Sequence, residues 1–132
     1  MALTPTYHVY EMYTVHHDAK LLPVELKCAD YAFGDEKLPT VNASASRDKA
    51  GKIHVTLCNM NPNQPATVSA ALQGAKPKTI TGRVLTAPAM QAHNTFEQST
   101  NVQPVAFNDA KLTSDGFAVT LPAKSVVVVE IE

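Results

Sequence analysis

Apolar and polar residues alternate along most of the chain beyond residue 20, which is the period-two pattern of half-buried β-strands. In the first alternating run, Leu22, Val24, Leu26 and Cys28 share one face. The runs are short and lie between turn residues. Together they predict strands at residues 22–28, 41–45, 53–57, 68–72, 79–86, 117–121 and 125–131. The last strand is apolar on both faces over residues 126–129, as expected for a central strand.

Turn residues between these runs indicate how the strands connect. Residues 48–51 (Asp-Lys-Ala-Gly) and 114–116 (Ser-Asp-Gly) tolerate positive φ, so each predicts a hairpin. Residues 59–65 form a polar loop interrupted by Pro, and residues 87–109 form a long connection with little periodicity. Seven or eight short strands with a single helix predict an all-β fold, an antiparallel, jelly-roll-like β-sandwich.

The first residues follow a helical period instead. Thr4 and Pro5 are an N-cap residue and a first-turn proline, so residues 5–18 are predicted to be helical. Apolar side chains occupy both sides of this helix. Val9, Tyr10, Met12 and Tyr13 form one arc, and Tyr7 and Val15 lie opposite. Because one sandwich cannot easily cover two faces of a helix, we expect that part of its natural partner is missing from this chain.

The composition agrees with one soluble globular domain. The chain has 132 residues, of which 45% are hydrophobic and 17% charged, with a formal net charge of -1. Its scattered basic residues give no reason to expect nucleic acid or an anionic membrane as a partner. No apolar run approaches the length of a membrane span, and the N-terminus lacks the layout of a signal peptide. The cellular compartment stays open.

No metal or cofactor site is predicted. Cys28 and Cys58 lack CxxC spacing and a nearby His pair, so structural thiols or a disulfide between them are the alternatives. His16 and His17 are adjacent, and on a helix their rings diverge by about 100°, which disfavours joint chelation.

No catalytic residue is assigned either. Asp48, Asp109 and Asp115 occupy turn-like segments, Glu25 and Glu130 the polar side of strands, and Asp35-Glu36 a glycine-containing connection. Solvated surface carboxylates explain all of them. His54 alternates with Ile53 and Val55 and should point away from the core. His93 lies with Asn94, Thr95 and Phe96 in the long loop, where a structural hydrogen-bonding role is expected.

Several stretches together resemble the C-terminal part of α-L-arabinofuranosidases of glycoside hydrolase family 51. They are residues 3–13 (LTPTYHVYEMY), 43–49 (ASASRDK), 85–90 (LTAPAM), 92–96 (AHNTF) and 121–128 (LPAKSVVV), so the resemblance covers nearly the whole chain. The 93–96 cluster and the opening helix are its more specific signals.

The resemblance implies that residues 1–18 are the end of the last helix of an upstream catalytic (β/α)8 barrel and residues 19–132 the C-terminal β-sandwich domain. The catalytic glutamates of this retaining family lie on the barrel and match no residue here. The chain is therefore expected to be a structural domain, inactive alone, whose partners are the upstream barrel and, through sandwich edges, further copies. The parent enzyme would release arabinofuranosyl groups from arabinose-containing glycans.

A carbohydrate-binding module is the competing hypothesis, since such modules are also β-sandwiches. They need exposed aromatic rings, and this chain has no Trp and only four Tyr and four Phe. An adhesion sandwich is a weaker third possibility, because it would leave the helix and the 93–96 loop unexplained.

Overall fold

The computed structural model describes residues 1–132 and contains one α-helix, one 3₁₀ turn and eleven strands. Helix α1 spans Pro5–Tyr13 and continues into the 3₁₀ turn Thr14–His16. The strands, in chain order, are β1 (Lys20–Leu22), β2 (Asp30–Phe33), β3 (Glu36–Pro39), β4 (Val41–Arg47), β5 (Ile53–Asn59), β6 (Ala66–Ala71), β7 (Ile80–Leu85), β8 (Val105–Ala106), β9 (Ala110–Leu112), β10 (Gly116–Leu121) and β11 (Ser125–Ile131).

The strands form two main antiparallel sheets and a separate hairpin. The larger sheet has the order β1-β4-β5-β11-β7-β8, and the smaller one has the order β6-β10-β9. Strands β2 and β3 pair only with each other. The predicted antiparallel β-sandwich with one N-terminal helix is confirmed. As predicted, β11 is central, with β5 on one side and β7 on the other.

The main core lies between the two sheets. It takes alternate residues of β4, β5 and β11 from the larger sheet and meets β10 from the smaller one. Its most deeply buried side chains include Phe117, Val119, Leu121, Val127 and Val129. The period-two alternation of the sequence is therefore the division between this core and the outer faces of the sheets.

The start of the helix agrees with the prediction, but its end does not. The Tyr7 backbone N–H donates to Thr4 Oγ1, so Thr4 is the N-cap, with Pro5 in the first turn. The α-helix ends at Tyr13, and the next turn is 3₁₀. Val15, which the sequence pattern placed opposite the main apolar arc, packs in the same cluster as Met12, because residues three positions apart lie on one side of a helix.

The predicted strand at residues 22–28 is wrong. Only Lys20–Leu22 forms a strand, and residues 23–29 have no regular structure. Pro23 has no backbone N–H to donate, so the ladder with β4 stops there. Glu25 consequently does not lie on a strand. It is exposed and sits 4.0 Å from Lys27 Nζ.

The hairpin β2–β3 was not predicted, because residues 34–36 were interpreted as a plain connection. Gly34 has a φ of 61° and begins a two-residue turn with Asp35. Glycine first in such a turn suits the twist of a hairpin, so the local signal was present. The apolar residues of the hairpin do not alternate, since Tyr31, Ala32 and Phe33 are consecutive, and most of the hairpin is exposed.

The two predicted hairpin turns are confirmed. Residues 48–52 connect the paired strands β4 and β5, and residues 113–115 connect β9 and β10. The long connection after β7 contains β8, which adds only two residues to the larger sheet. No helix in the structure has the length and apolar character of a membrane span.

Candidate functional site

The outer face of the larger sheet, which points away from the main core, changes from polar to apolar along the strands. The register places Ser46, His54 and Glu130 side by side in one row. Thr56 and Val128 are paired in the next outward row, and Cys58, Val126 and Leu85 in a third. A sheet face with so many apolar residues requires cover, and helix α1 and the loop of residues 87–102 supply it.

A second apolar cluster forms beneath this cover. Met12, of which only 1% is exposed, packs with Leu85, Val102 and Val128. Val9 and Val15 pack at its margin. The helix thus buries one side against the sheet. Its other side faces solvent, where Tyr10 is 75% exposed and Tyr7 is half exposed.

Three polar contacts hold the helix in place. Arg83 donates to both Glu11 carboxylate oxygens, at 3.1 and 2.9 Å. The Tyr13 hydroxyl lies 3.4 Å from Cys58 Sγ. His16 Nδ1 lies 2.5 Å from Ser46 Oγ, and its Nε2 lies 3.2 Å from Thr56 Oγ1. Because these contacts spread along the helix, they set its register on the sheet as well as its distance from it.

Burial and neighbouring charges shift the pKa values of these groups. The hydrogen bond from Arg83 lowers the pKa of Glu11. Desolvation, followed by the hydrogen bond with Cys58, raises the pKa of Tyr13 to about 12. Desolvation, followed by repulsion from His54, lowers the pKa of His16. At neutral pH the helix is therefore held by an ionised carboxylate, a neutral phenol and a neutral imidazole.

The polar row contains the densest charged cluster of the molecule. His54 Nε2 lies 3.0 Å from Glu130 Oε2, and its buried Nδ1 has no hydrogen-bond partner, with Asp48 Oδ2 at 3.8 Å. Lys52 Nζ lies 3.1 Å from Glu130 and 3.2 Å from Glu132. As predicted, His54 lies on the face opposite Ile53 and Val55, but it is buried there among charged neighbours rather than solvated.

Glu130 lacks the electrostatics of the acid in glycoside hydrolysis. The common mechanism requires one carboxyl group whose pKa is raised so that it can protonate the leaving oxygen. Hydrogen bonds from Lys52 and then His54 lower the pKa of Glu130 instead. Asp48 is engaged by the backbone N–H groups of Ala50 and Lys52 in the β4–β5 turn. The contacts of the cluster join the β4–β5 turn to strand β11.

The long loop is held by Asn94, which sequence analysis placed in a notable motif without giving it a role. Its Nδ2 donates to the carbonyls of Leu3 and Val102, both at 2.7 Å, and its Oδ1 accepts from Val102 N–H at 2.6 Å. His93 Nδ1 lies 2.9 Å from the Gln91 carbonyl, which agrees with the predicted hydrogen-bonding role. Phe96 remains exposed. Asn94 thus joins the loop to the start of the chain.

An apolar groove opens between this loop, the start of α1 and the β5–β6 loop. Its cavity volume is ≈ 330 Å³, and nine of its fourteen lining residues are hydrophobic. Pro5, Leu85 and Val126 belong to its walls, as do Met60 and Met90 from the two loops. Exposed apolar surface of this kind is typical of a binding surface.

The other side chains that the sequence singled out are the two cysteines, the two histidines near the end of the helix and the polar loop of residues 59–65. Both cysteines are free thiols, with Cys28 Sγ 3.8 Å from the Val41 carbonyl and Cys58 beside Tyr13. His16 is hydrogen-bonded to the sheet, whereas His17 is exposed. Residues 59–65 include Asn59, whose Nδ2 donates to the carbonyls of Gln64 and Pro122 at 2.9 Å. No group of three or more His, Cys, Asp or Glu side chains is arranged to hold a metal ion.

Known proteins resemble this chain over its whole length. The profile of the α-L-arabinofuranosidase C-terminal domain matches residues 1–125. An intracellular exo-α-L-arabinofuranosidase of Bacteroides ovatus is 38% identical over 133 residues, which cover 100% of this chain and 26% of that protein. The crystal structure of the family 51 arabinofuranosidase from Xanthomonas axonopodis pv. citri superposes with a TM-score of 0.97 at 39% identity, over 100% of this chain and 27% of that one.

A thermostable family 51 α-L-arabinofuranosidase from Thermotoga petrophila superposes with a TM-score of 0.82 at 26% identity, over 99% of this chain and 29% of that one. In each case the chain spans between a quarter and a third of the length of the relative that it matches.

Proposed function

Since this chain belongs to the family of α-L-arabinofuranosidase C-terminal domains, we propose that it is the non-catalytic accessory domain of an enzyme that hydrolyses terminal α-L-arabinofuranosyl groups. The substrates of that enzyme would be arabinan, arabinoxylan and related oligosaccharides. The domain itself performs no chemistry, and its work is to support the catalytic part of the polypeptide.

The length of the relatives supports a catalytic part outside this chain. The B. ovatus enzyme is nearly four times as long as the segment matched here, since that segment covers 26% of it. The matching family is a C-terminal domain, so the additional residues lie upstream. We propose that they form a (β/α)8 barrel that carries the two glutamates of a retaining mechanism.

One observation carries this proposal: helix α1 is buried on one side only. Met12 is enclosed by the sandwich, whereas Tyr10 on the other side is 75% exposed. Ordered apolar side chains on an exposed helix face are typical of a surface that packs against another unit. We propose that residues 1–18 carry the last helix of the barrel, which begins at Pro5, and that residues 19–132 are the C-terminal β-sandwich domain that covers one flank of the barrel.

The test compares the isolated 132-residue chain with the full-length protein, each incubated with an aryl α-L-arabinofuranoside. We expect turnover by the full-length protein and none by the isolated chain. Glu130→Gln serves as the matched control in the full-length protein, where it should leave turnover unchanged. Turnover by the isolated chain that is abolished by a single Asp or Glu substitution within it would contradict the proposal.

A carbohydrate-binding module has one observation in its favour, the exposure of Tyr10, Phe33 and Phe96. These rings belong to three different elements, namely α1, the β2–β3 hairpin and the long loop. The outer face of the smaller sheet presents Thr67, Ser69 and Thr120 instead of aromatic rings. We therefore favour the accessory domain. Titration of the isolated chain with arabinan and xylan tests the alternative, which millimolar or tighter binding would favour.

We also propose that copies of the enzyme associate through the sandwich edges. Strand β6 has six residues and borders the smaller sheet, so one side of its backbone has no strand partner. An open edge of this kind can pair with a second copy. Analytical ultracentrifugation of the full-length protein tests this association. A protein that stays monomeric at all concentrations contradicts it.

A further inference from the structure

The chain enters the domain beside the apolar groove. The Leu3 carbonyl is held by Asn94 at 2.7 Å, and Pro5, two residues later, forms part of the groove wall. Any residues that precede Met1 therefore leave the domain next to the groove. In the relatives, the matched segment covers only 26% and 27% of the whole chain, so a large upstream portion has to be placed near this point.

The rim of the groove on the β5–β6 side is held by hydrogen bonds. The Met60 N–H donates to the Thr40 carbonyl at 2.7 Å. Asn59 holds the same loop from within through its side-chain amide, and Lys124 Nζ donates to the Pro62 carbonyl at 3.1 Å. Lys124 has a φ of 45°, an unfavourable value for a residue with a side chain, which the surrounding contacts maintain. This rim is consequently preorganised.

The opposite rim is hydrogen-bonded as well. Asn94 closes the loop through Val102, and Thr86 Oγ1 donates to the Ala123 carbonyl at 3.0 Å. Two hydrogen-bonded loops thus present methionines to solvent, Met60 at 49% exposure and Met90 at 70%. Methionine side chains adapt well to an apolar partner, and ordering the loops beforehand reduces the entropy cost of docking.

The other broad surface of the sandwich has the opposite character. Thr67 and Thr120 are paired across β6 and β10 on the outer face of the smaller sheet, where Lys111 is also exposed. Small and polar side chains of this kind suit solvent rather than an apolar partner. The groove side is therefore the more apolar of the two broad surfaces.

We infer that the groove lined by Pro5, Met60, Met90 and Val126 is the docking surface for the upstream portion of the same polypeptide, with Asn94 as the residue that positions the loop and the incoming chain. This inference rests on the proposed function, because it requires the upstream domain. It adds the surface through which that domain is held.

The experiment measures methionine oxidation by dilute peroxide in the 132-residue chain and in the full-length protein, by peptide mass spectrometry. In the full-length protein, Met60 and Met90 should be oxidised at least about fivefold more slowly, because docking shields their sulfur atoms. Met12 is buried in both proteins and serves as the reference, with slow oxidation in each. Equal oxidation rates of Met60 and Met90 in the two proteins overturn the inference.

A pair of full-length double variants provides the second measurement. Met60→Glu with Met90→Glu places two charges in the groove, whereas Thr67→Glu with Thr120→Glu places two on the outer face of the smaller sheet. Calorimetry should show that the groove variant divides one cooperative unfolding transition into two, while the control keeps one. Division by both variants, or by neither, contradicts the inference.

Two further outcomes separate the possible causes of failure. Protection of Met60 and Met90 that appears in the isolated chain as its concentration rises identifies a second copy as the occupant, and overturns the inference. Arabinofuranosidase activity of the full-length protein tests the proposed function independently. Activity with unprotected methionines refutes the docking surface alone, whereas protection without activity refutes the proposed function alone.

Discussion

His54 and Glu130 are direct neighbours across β5 and β11, and the imidazole Nε2 lies 3.0 Å from Glu130 Oε2. Lys52 approaches the other carboxylate oxygen at 3.1 Å. The carboxylate is thus shared between a buried ring and an ammonium group at the edge of the sheet. This arrangement explains why a residue on a strand of the main sheet stays ionised, and it makes the stability of the fold depend on pH.

Acid should weaken the fold through Glu130. Because its pKa is lowered in the folded state, its contribution is complete above the ordinary pKa of a glutamate and is lost as the pH falls through the folded-state value. Since the side chain is 40% exposed, Glu130→Gln should cost only about 0.5–1 kcal/mol near neutral pH. Thermal unfolding from about pH 6 to about pH 3 measures the effect. Glu97→Gln, in the exposed loop, should behave like the parent chain, and equal losses in both variants would disprove the role of Glu130.

His16 should produce a separate loss of stability at higher pH. Its pKa is lowered on folding, so the unfolded chain binds the proton more readily, and the fold weakens as the pH drops below the ordinary pKa of histidine, from about pH 7 to about pH 5. Ser46, Thr56, Tyr13 and His54 are the groups that surround the ring.

His16→Gln should flatten that part of the pH profile and cost about 1–2 kcal/mol at neutral pH, because Ser46 and Thr56 lose their partner. The matched control is His17→Gln at the exposed adjacent position, which should retain the profile. A profile unchanged by His16→Gln refutes the prediction.

Truncation of a buried leucine should cost far more stability than truncation of an exposed one. Leu121 is 0% exposed at the centre of the sandwich, whereas Leu21 is 77% exposed on β1. Leu121→Ala should lower the free energy of unfolding by about 2–5 kcal/mol, because it removes buried methyl groups and leaves a cavity. Leu21→Ala should stay within about 0.5 kcal/mol of the parent chain. Denaturant unfolding measures both, and similar losses would show that the chain packs differently.

Gly116 should not tolerate a side chain. A Cβ at this position would overlap the Ala70 carbonyl on the neighbouring strand β6. Gly116→Ala should therefore cost more than about 3 kcal/mol, since backbone atoms cannot move aside cheaply. Gly74→Ala meets no neighbour but requires a φ of 76°, so a loss of about 1–2 kcal/mol is expected there. Thermal unfolding compares the two variants, and Gly116→Ala should have the lower melting temperature. A lower melting temperature for Gly74→Ala would be inconsistent with the pairing of β6 and β10.

Asn94 should control the order of the long loop. Asn94→Ala removes three hydrogen bonds, to Leu3 and to both backbone groups of Val102, with an expected cost of about 2 kcal/mol. Limited proteolysis should then cut within residues 87–102, whereas Asn108→Ala, at an exposed position with no side-chain bond of this kind, should leave the loop resistant. Resistance in both variants would show that other contacts hold the loop.

The strands of the main sheet and the start of the helix could be predicted because their signals are local. Alternation at residues 53–57, the apolar run at residues 125–131 and the turn at residues 48–51 each specify a local conformation over a few neighbouring positions. The failure at residues 22–28 had a local cause too, since Pro23 outweighed the alternation. The hairpin at Gly34 was missed for a different reason, because the apolar residues before its turn, Tyr31, Ala32 and Phe33, are consecutive instead of alternating.

The sequence by itself determined which residues alternate, where the chain turns, and which family it resembles, because these properties depend on neighbours along the chain. Only the tertiary structure decided that His54 is buried beside Glu130, that His16 reaches Ser46 and Thr56, and that Asn94 holds Leu3, 91 positions away. The physical reason is that burial and hydrogen bonding depend on distances in space. The packing of α1 and the long loop on the sheet sets those distances, and no local pattern encodes them.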